Sequence, residues 1–132
     1  MMYYEHGLNL YGGAILTTRR FIQANPEAVR RATAALLRGF RETARDGAGM
    51  IQVLRAAQPL TDVALETERH QMNLARVIVT DNVRQNGLSN VDMARLQTGI
   101  TAVEEAFGLQ PRVQAAQIYT AEFLPPAADR RI

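Results

Sequence analysis

Hydrophobic positions along the chain follow two different periods. Between residues 8 and 18 the pattern is strand-like: Leu8 and Leu10 alternate, Gly12-Gly13 interrupts, and Ala14-Ile15-Leu16-Thr17-Thr18 forms a short β-prone run. This predicts a short N-terminal β-strand over 8–18. A strand carries backbone donors and acceptors that need edge partners, and the rest of the chain reads as helical.

From Asn25-Pro26 onward the period is that of a helix. Asn25 is placed to cap, Pro26 suits the first helical position, and Glu27 complements the positive end of the helix. Val29, Ala32, Leu36, Leu37, Phe40 and Ala44 share one broad arc at about 100° per residue. Arg30, Arg31, Arg38, Arg41 and Arg45 fall opposite, so one face should be buried and the other solvated. Asp46-Gly47 ends this helix, and a shorter one over 48–57 is stopped by Pro59.

Thr61 or Asp62 then opens a helix running to about Val79 that is apolar on two sides. Val63, Leu74, Val77 and Ile78 line one side; Leu65, Met72 and Val79 line the other. The second stripe is either sandwiched in a core or offered to a partner, which makes Leu65, Met72 and Val79 candidates for self-association. A short helical stretch over 80–86 closes at Gly87. Ser89-Asn90-Val91-Asp92 has capping-box spacing and opens a helix with Met93, Leu96, Ile100, Val103 and Phe107 in one stripe, ended by Gly108-Leu109. Residues 110–132 read as a short helix and an extended tail. The expectation is a single, mostly α domain over 1–132, a helical bundle with a short N-terminal strand, its helices within 26–109.

Composition narrows the chemistry. At 132 residues with 47% hydrophobic and 21% charged positions, the chain has the make-up of a folded domain. No apolar run approaches the ~20 residues of a membrane crossing, and the N-terminus lacks the basic-then-apolar pattern of an export signal. There is no cysteine, which excludes disulfides, thiolate nucleophiles and zinc–thiolate sites. All fifteen basic residues are arginine, so Schiff-base and phosphate-loop lysines are excluded as well.

Few residues remain for catalysis. His70 lies on an apolar helix face with Glu66 one turn before it, a pair that could hold a metal or a proton. With no third ligand at recognisable spacing, a hydrogen-bonded structural histidine is the expectation, and no metal or cofactor is expected. His6 beside Glu5 reads as solvated loop. Glu104 and Glu105 point about 100° apart on a helix and cannot form a facing acid–base pair. Nucleic-acid binding is disfavoured by a net charge of only +2 and by the scarcity of aromatic residues near the basic runs.

The order of the segments resembles a known family. "LYGGAILTTRRFIQANPEAVRRATAALLRGFRETARD", "GLSNVDMARLQTGITAVEEAFGL" and "IYTAEFLPP" are similar to the C-terminal portion of periplasmic solute-binding proteins of ABC transporters, of the nitrate, sulfonate, taurine and thiamine-pyrimidine-precursor type. The features that carry it are Tyr11-Gly12, Asn25-Pro26-Glu27, Ala35 to Gly39, Gly87-Leu88, Tyr119-Thr120 and Phe123-Leu124-Pro125. The resemblance spans nearly all of this chain, which corresponds to only the last part of such a protein. It implies two α/β lobes closing about a hinge on a small solute, with 8–18 as a hinge-type strand.

By that resemblance the cleft lies near the hinge strands, which nominates Asn9, Tyr11 and Gly12 for ligand contact. Asn offers a donor and an acceptor, Tyr a stacking face and a hydroxyl, and Gly close backbone approach. The simpler alternative is that Tyr11 only packs within its strand. The resemblance further implies a binding protein without catalysis, a small organic or anionic solute, an ABC permease as partner and a periplasmic location. A helical self-association domain is the second reading, and a homodimer formed by pairing or exchange of the N-terminal segment is expected. An enzymatic role in pyrimidine-precursor synthesis lacks the histidine-rich and cysteine-bearing chemistry it would need.

Overall fold

A computed structural model describes residues 3–7, 9–110 and 112–132. The protein is mostly helical, and among the described residues there is no strand. Among the described residues seven α-helices follow one another: α1 (Arg19–Ala24), α2 (Pro26–Arg45), α3 (Gly47–Ala57), α4 (Val63–Asn73), α5 (Asp81–Asn86), α6 (Met93–Phe107) and α7 (Ala115–Ile118). Short 3-10 turns occupy Tyr3–His6 and Ala127–Arg130, and a π-helical turn, Leu74–Ile78, extends α4.

The expected strand over 8–18 is therefore corrected. Leu8 lies outside the described residues, and residues 9–18 form no ladder. A strand exists only through its partner, and the backbone here is used otherwise. The carbonyls of Asn9 and Leu10 accept from the Arg95 guanidinium at 3.1 and 2.8 Å. Thr18 caps α1 by accepting from the Phe21 N–H. Residues 12–17 make no backbone hydrogen bond to another segment among the described residues.

The helix boundaries follow local chemistry. Asn25 closes α1, donating its N–H to the Phe21 carbonyl at 2.8 Å, and Pro26 opens α2, because the residue before a proline avoids the helical region. Asp46, Asp62, Thr80 and Asp92 cap α3, α4, α5 and α6 through their side-chain oxygens. The expected capping box at Ser89 is displaced to Asp92, which accepts from the Ala94 and Arg95 N–H groups. Gly108, in the left-handed conformation, ends α6 as expected.

The chain forms two compact units, each discontinuous in sequence: Met1–Asn25 with Val91–Phe123, and Pro26–Asn90 with Leu124–Ile132. In the second unit Leu37, Ile51 and Leu88 form the core, and Ile51 is the one essentially fully buried large side chain among the described residues. In the first unit Ala115 and Phe123 are buried together with a carboxylate, Glu104.

The cores are small for the apolar content. The chain exposes 9832 Å². Two separate globules of the units' sizes would together expose roughly 8,300 Å². Helices α2 and α6 both contribute to this. On α2 only Leu37 and Thr33 are buried, while Leu36 and Phe40, expected inside, stay about half exposed. On α6 the expected burial is inverted: the polar Glu104 is buried, whereas Met93, Val103 and Phe107 are exposed and Leu96 and Ile100 half-buried.

The inversion has a local cause. The returning segment after α6 is held by polar groups on one edge of that helix. Glu104 accepts from the Val113 N–H at 2.6 Å. Gln97 bridges the same segment, donating to the Val113 carbonyl at 3.2 Å and accepting from the Ala115 N–H at 2.7 Å. Buried polar groups need such partners, so the segment lies along the polar edge and leaves much of the apolar stripe exposed.

Candidate functional site

Asn9, Tyr11 and Gly12 lie in the first unit, on the irregular segment that is held to the start of α6. Arg95 is the organising residue. Its guanidinium lies 4.2 Å from the Tyr11 ring centroid, over its face. The same group donates Nε to the Asn9 carbonyl and Nη2 to the Leu10 carbonyl. The Tyr11 hydroxyl accepts from the Asp92 N–H at 2.8 Å.

Arg95 sits in the first turn of α6, where the helix dipole disfavours a cation. Its guanidinium folds onto carbonyls of a neighbouring segment, and this fixes residues 9–11. The resulting ledge has defined chemistry. Tyr11 is half-buried and keeps its own hydroxyl proton for donation, because the bond to Asp92 uses it as an acceptor. Asn9 is exposed, and so are Gly12 and Gly13, which have nothing within 4 Å of where a Cβ would stand. The ring face that would stack on a ligand is instead occupied by Arg95. Sequence reasoning missed Arg95 and Asp92; the available signal was a first-turn arginine set against the dipole.

In the second unit, Leu65 and Met72 are exposed on α4, and Val79 is half-buried at the end of the π turn. Leu65 helps line a shallow groove of about 470 Å³ with Leu54, Gln58, Leu60 and Glu66. A second groove of about 480 Å³ runs along α2 over Ala34, Ala35, Arg38, Gly39 and Glu42. Neither is lined by Asn9, Tyr11 or Gly12.

His70 departs from its expected hydrogen-bonded role. Its Nε2 is buried without a hydrogen-bond partner and its ring lies against Gly47, at the start of α3. Glu66 pairs instead with Arg69 at 2.6 Å. Among the described residues no group of three or more His, Asp or Glu side chains could hold a metal ion. His6 is exposed in the first 3-10 turn, and Glu104 and Glu105 differ in environment, the first buried and the second exposed.

Compared with family models, curated proteins and solved structures, the chain matches none.

Proposed function

We propose that the chain is the C-terminal portion of a solute-binding component of an ABC importer for a small organic or anionic nutrient, which binds without catalysis. The ordered sequence resemblance motivates the reading. The observation that carries it is the ledge at Asn9, Tyr11 and Gly12. A phenolic hydroxyl, a guanidinium and open glycine backbone together present donors suited to a sulfonate, nitrate or carboxylate oxygen.

The finer architecture belongs to the same proposal. In the whole protein, a two-lobed α/β fold supplies a sheet against which residues 12–17, irregular and without backbone partners among the described residues, pair as a hinge strand. The second wall of the cleft comes from the rest of that protein, as do the periplasmic location and the contact with a permease. The exposure of Leu16 (89%) and Phe40 (54%), outside α6, is what a core divided between segments leaves behind.

Thermal shift of the chain against taurine, alkanesulfonates, nitrate and thiamine-pyrimidine precursors tests the reading. Stabilisation by one solute that is lost in Tyr11→Phe and Arg95→Gln supports it. No shift with any of them, in this chain and in a version extended upstream in frame, refutes it. The second reading, a helical self-association domain, is favoured by the exposure of Leu65 and Met72 one above the other on α4.

A further inference from the structure

The most unusual surface in the first unit is the apolar stripe of α6, exposed at Met93, Val103 and Phe107 and half-buried at Leu96 and Ile100. Met93, Leu96, Ile100, Val103 and Phe107 fall within an arc of about 80° and run for about 21 Å along the helix. Phe107 is 74% exposed, and Met93 and Val103 are each 38% exposed. Leu109 is 48% exposed just past the Gly108 cap, its N–H bonded to the Glu104 carbonyl, and extends the patch at that end.

We propose that two copies of this chain associate through α6, the two helices packed antiparallel about a two-fold axis at Ile100. The stripe is close to self-complementary about that residue. Met93 lies seven positions before Ile100 and Phe107 seven after it; Leu96 lies four before and Val103 three after. An antiparallel partner therefore sets Met93 against Phe107, Leu96 against Val103 and Ile100 against itself. In an isologous contact a charge on the axis would face its own copy, and the stripe carries none.

The area is adequate. At their observed exposures Met93, Val103, Phe107 and Leu109 present roughly 400 Å² of apolar surface per copy, which at the ~60% apolar share usual for an interface implies ~650 Å² per partner. That lies within the lower part of the ~600–1,000 Å² per partner of a standard stable interface. The pairing concerns α6 alone and is independent of whether the chain belongs to a transporter.

The absence of cysteine gives a direct test. Under mild oxidation Ile100→Cys forms a disulfide with its own copy, while Thr98→Cys, exposed on the opposite side of α6, does so at least tenfold more slowly. An equimolar mixture of Met93→Cys and Phe107→Cys gives the mixed dimer in at least tenfold excess over either self-linked species. Phe107→Glu, at a site already mostly exposed, keeps the helical circular dichroism and raises the dimer Kd at least tenfold. A monomer by light scattering at about 100 µM, a hundred times a micromolar Kd, overturns the proposal. Equal cross-linking of the Ile100→Cys and Thr98→Cys chains also overturns it, and either result assigns the α6 face to a different chain or to further segments of a longer protein.

Discussion

Replacing Arg130 with alanine removes a side chain that is 7% exposed and holds the C-terminal segment of the second unit to the rest of it. Its Nε donates to the Pro125 carbonyl at 2.9 Å and its Nη1 to the carbonyl of Leu88. The backbone answers in the other direction, with the Leu88 N–H donating to the Arg130 carbonyl at 2.9 Å. Only this last bond survives the substitution.

Each hydrogen bond from a charged donor contributes about 1.5–3 kcal/mol net, and a buried carbonyl left without a donor costs about 1–3 kcal/mol. Desolvation of the guanidinium, regained when it is removed, offsets several kcal/mol of that. The net expectation is a loss of about 3 kcal/mol, a substantial part of the 5–15 kcal/mol typical of a domain. Lysine cannot rescue it, because a single ammonium on a flexible stem does not present the planar fork that spans two carbonyls.

Urea unfolding followed by circular dichroism gives the midpoint shift, and proteolysis reports release of residues 124–132. Arg130→Ala should lower stability by about 3 kcal/mol and expose the segment to cleavage, with Arg130→Lys recovering less than half. A loss under about 1 kcal/mol, or full recovery with lysine, would show that the bidentate latch is not what holds this end.

Further substitutions probe the remaining contacts. In Gly47→Ala the new Cβ falls inside the 3.0 Å that real Cβ atoms keep from the His70 ring, so overpacking of about 1–3 kcal/mol should outweigh the gain in helix propensity; adding His70→Ala should reverse the sign of the Gly47 effect in a double-mutant cycle. Gly87→Ala meets both a φ of +81° and the Arg130 Cβ at 3.0 Å, and should lower the urea midpoint by the equivalent of about 2 kcal/mol. Asp92→Ala removes acceptors of two N–H groups at the start of α6 and should cost about 1 kcal/mol, with asparagine nearly neutral by thermal melt. Glu104→Ala should cost about 2 kcal/mol and raise amide exchange at Val113, while Glu104→Gln, which keeps a carbonyl acceptor, retains most of the protection.

Helix existence was legible in the sequence wherever a punctuating residue fixed it. Pro26, Asp46, Pro59, Thr80, Gly87 and Gly108 all mark boundaries through chemistry confined to a few neighbouring residues, and each holds. Burial was less legible, because the direction a stripe faces depends on which remote segment reaches it first. On α6 the hydrogen-bonding demand of Glu104 and Gln97 decides that contest in favour of the polar edge. The strand over 8–18 failed for the same reason: its pattern specifies a tendency, and the partner that would realise it is absent among the described residues. At the candidate site, the grouping of Asn9, Tyr11 and Gly12 was legible because they are adjacent. Arg95, 84 positions after Tyr11, could be linked to it only through the fold.

The π turn that extends α4 has a consequence for the phase of that helix. There the Val79 N–H bonds back five residues to the Leu74 carbonyl at 2.9 Å, so the turn holds one residue more than an α-helical turn closed back four. One extra residue rotates everything beyond it by about 100° relative to a continuous helix. Leu65 and Met72 lie before the rotation and Val79 after it, so a count of sevens that runs unbroken in the sequence is out of step in space. Deleting Ala75 would bring the side chains of residues 76–79 back into the α-helical phase of Leu65 and Met72. The phase of the last turn against the rest of α4 is thus set by a single countable residue, and an insertion or deletion of one residue there turns Val77, Ile78 and Val79 by about 100° while leaving Leu65 and Met72 where they are.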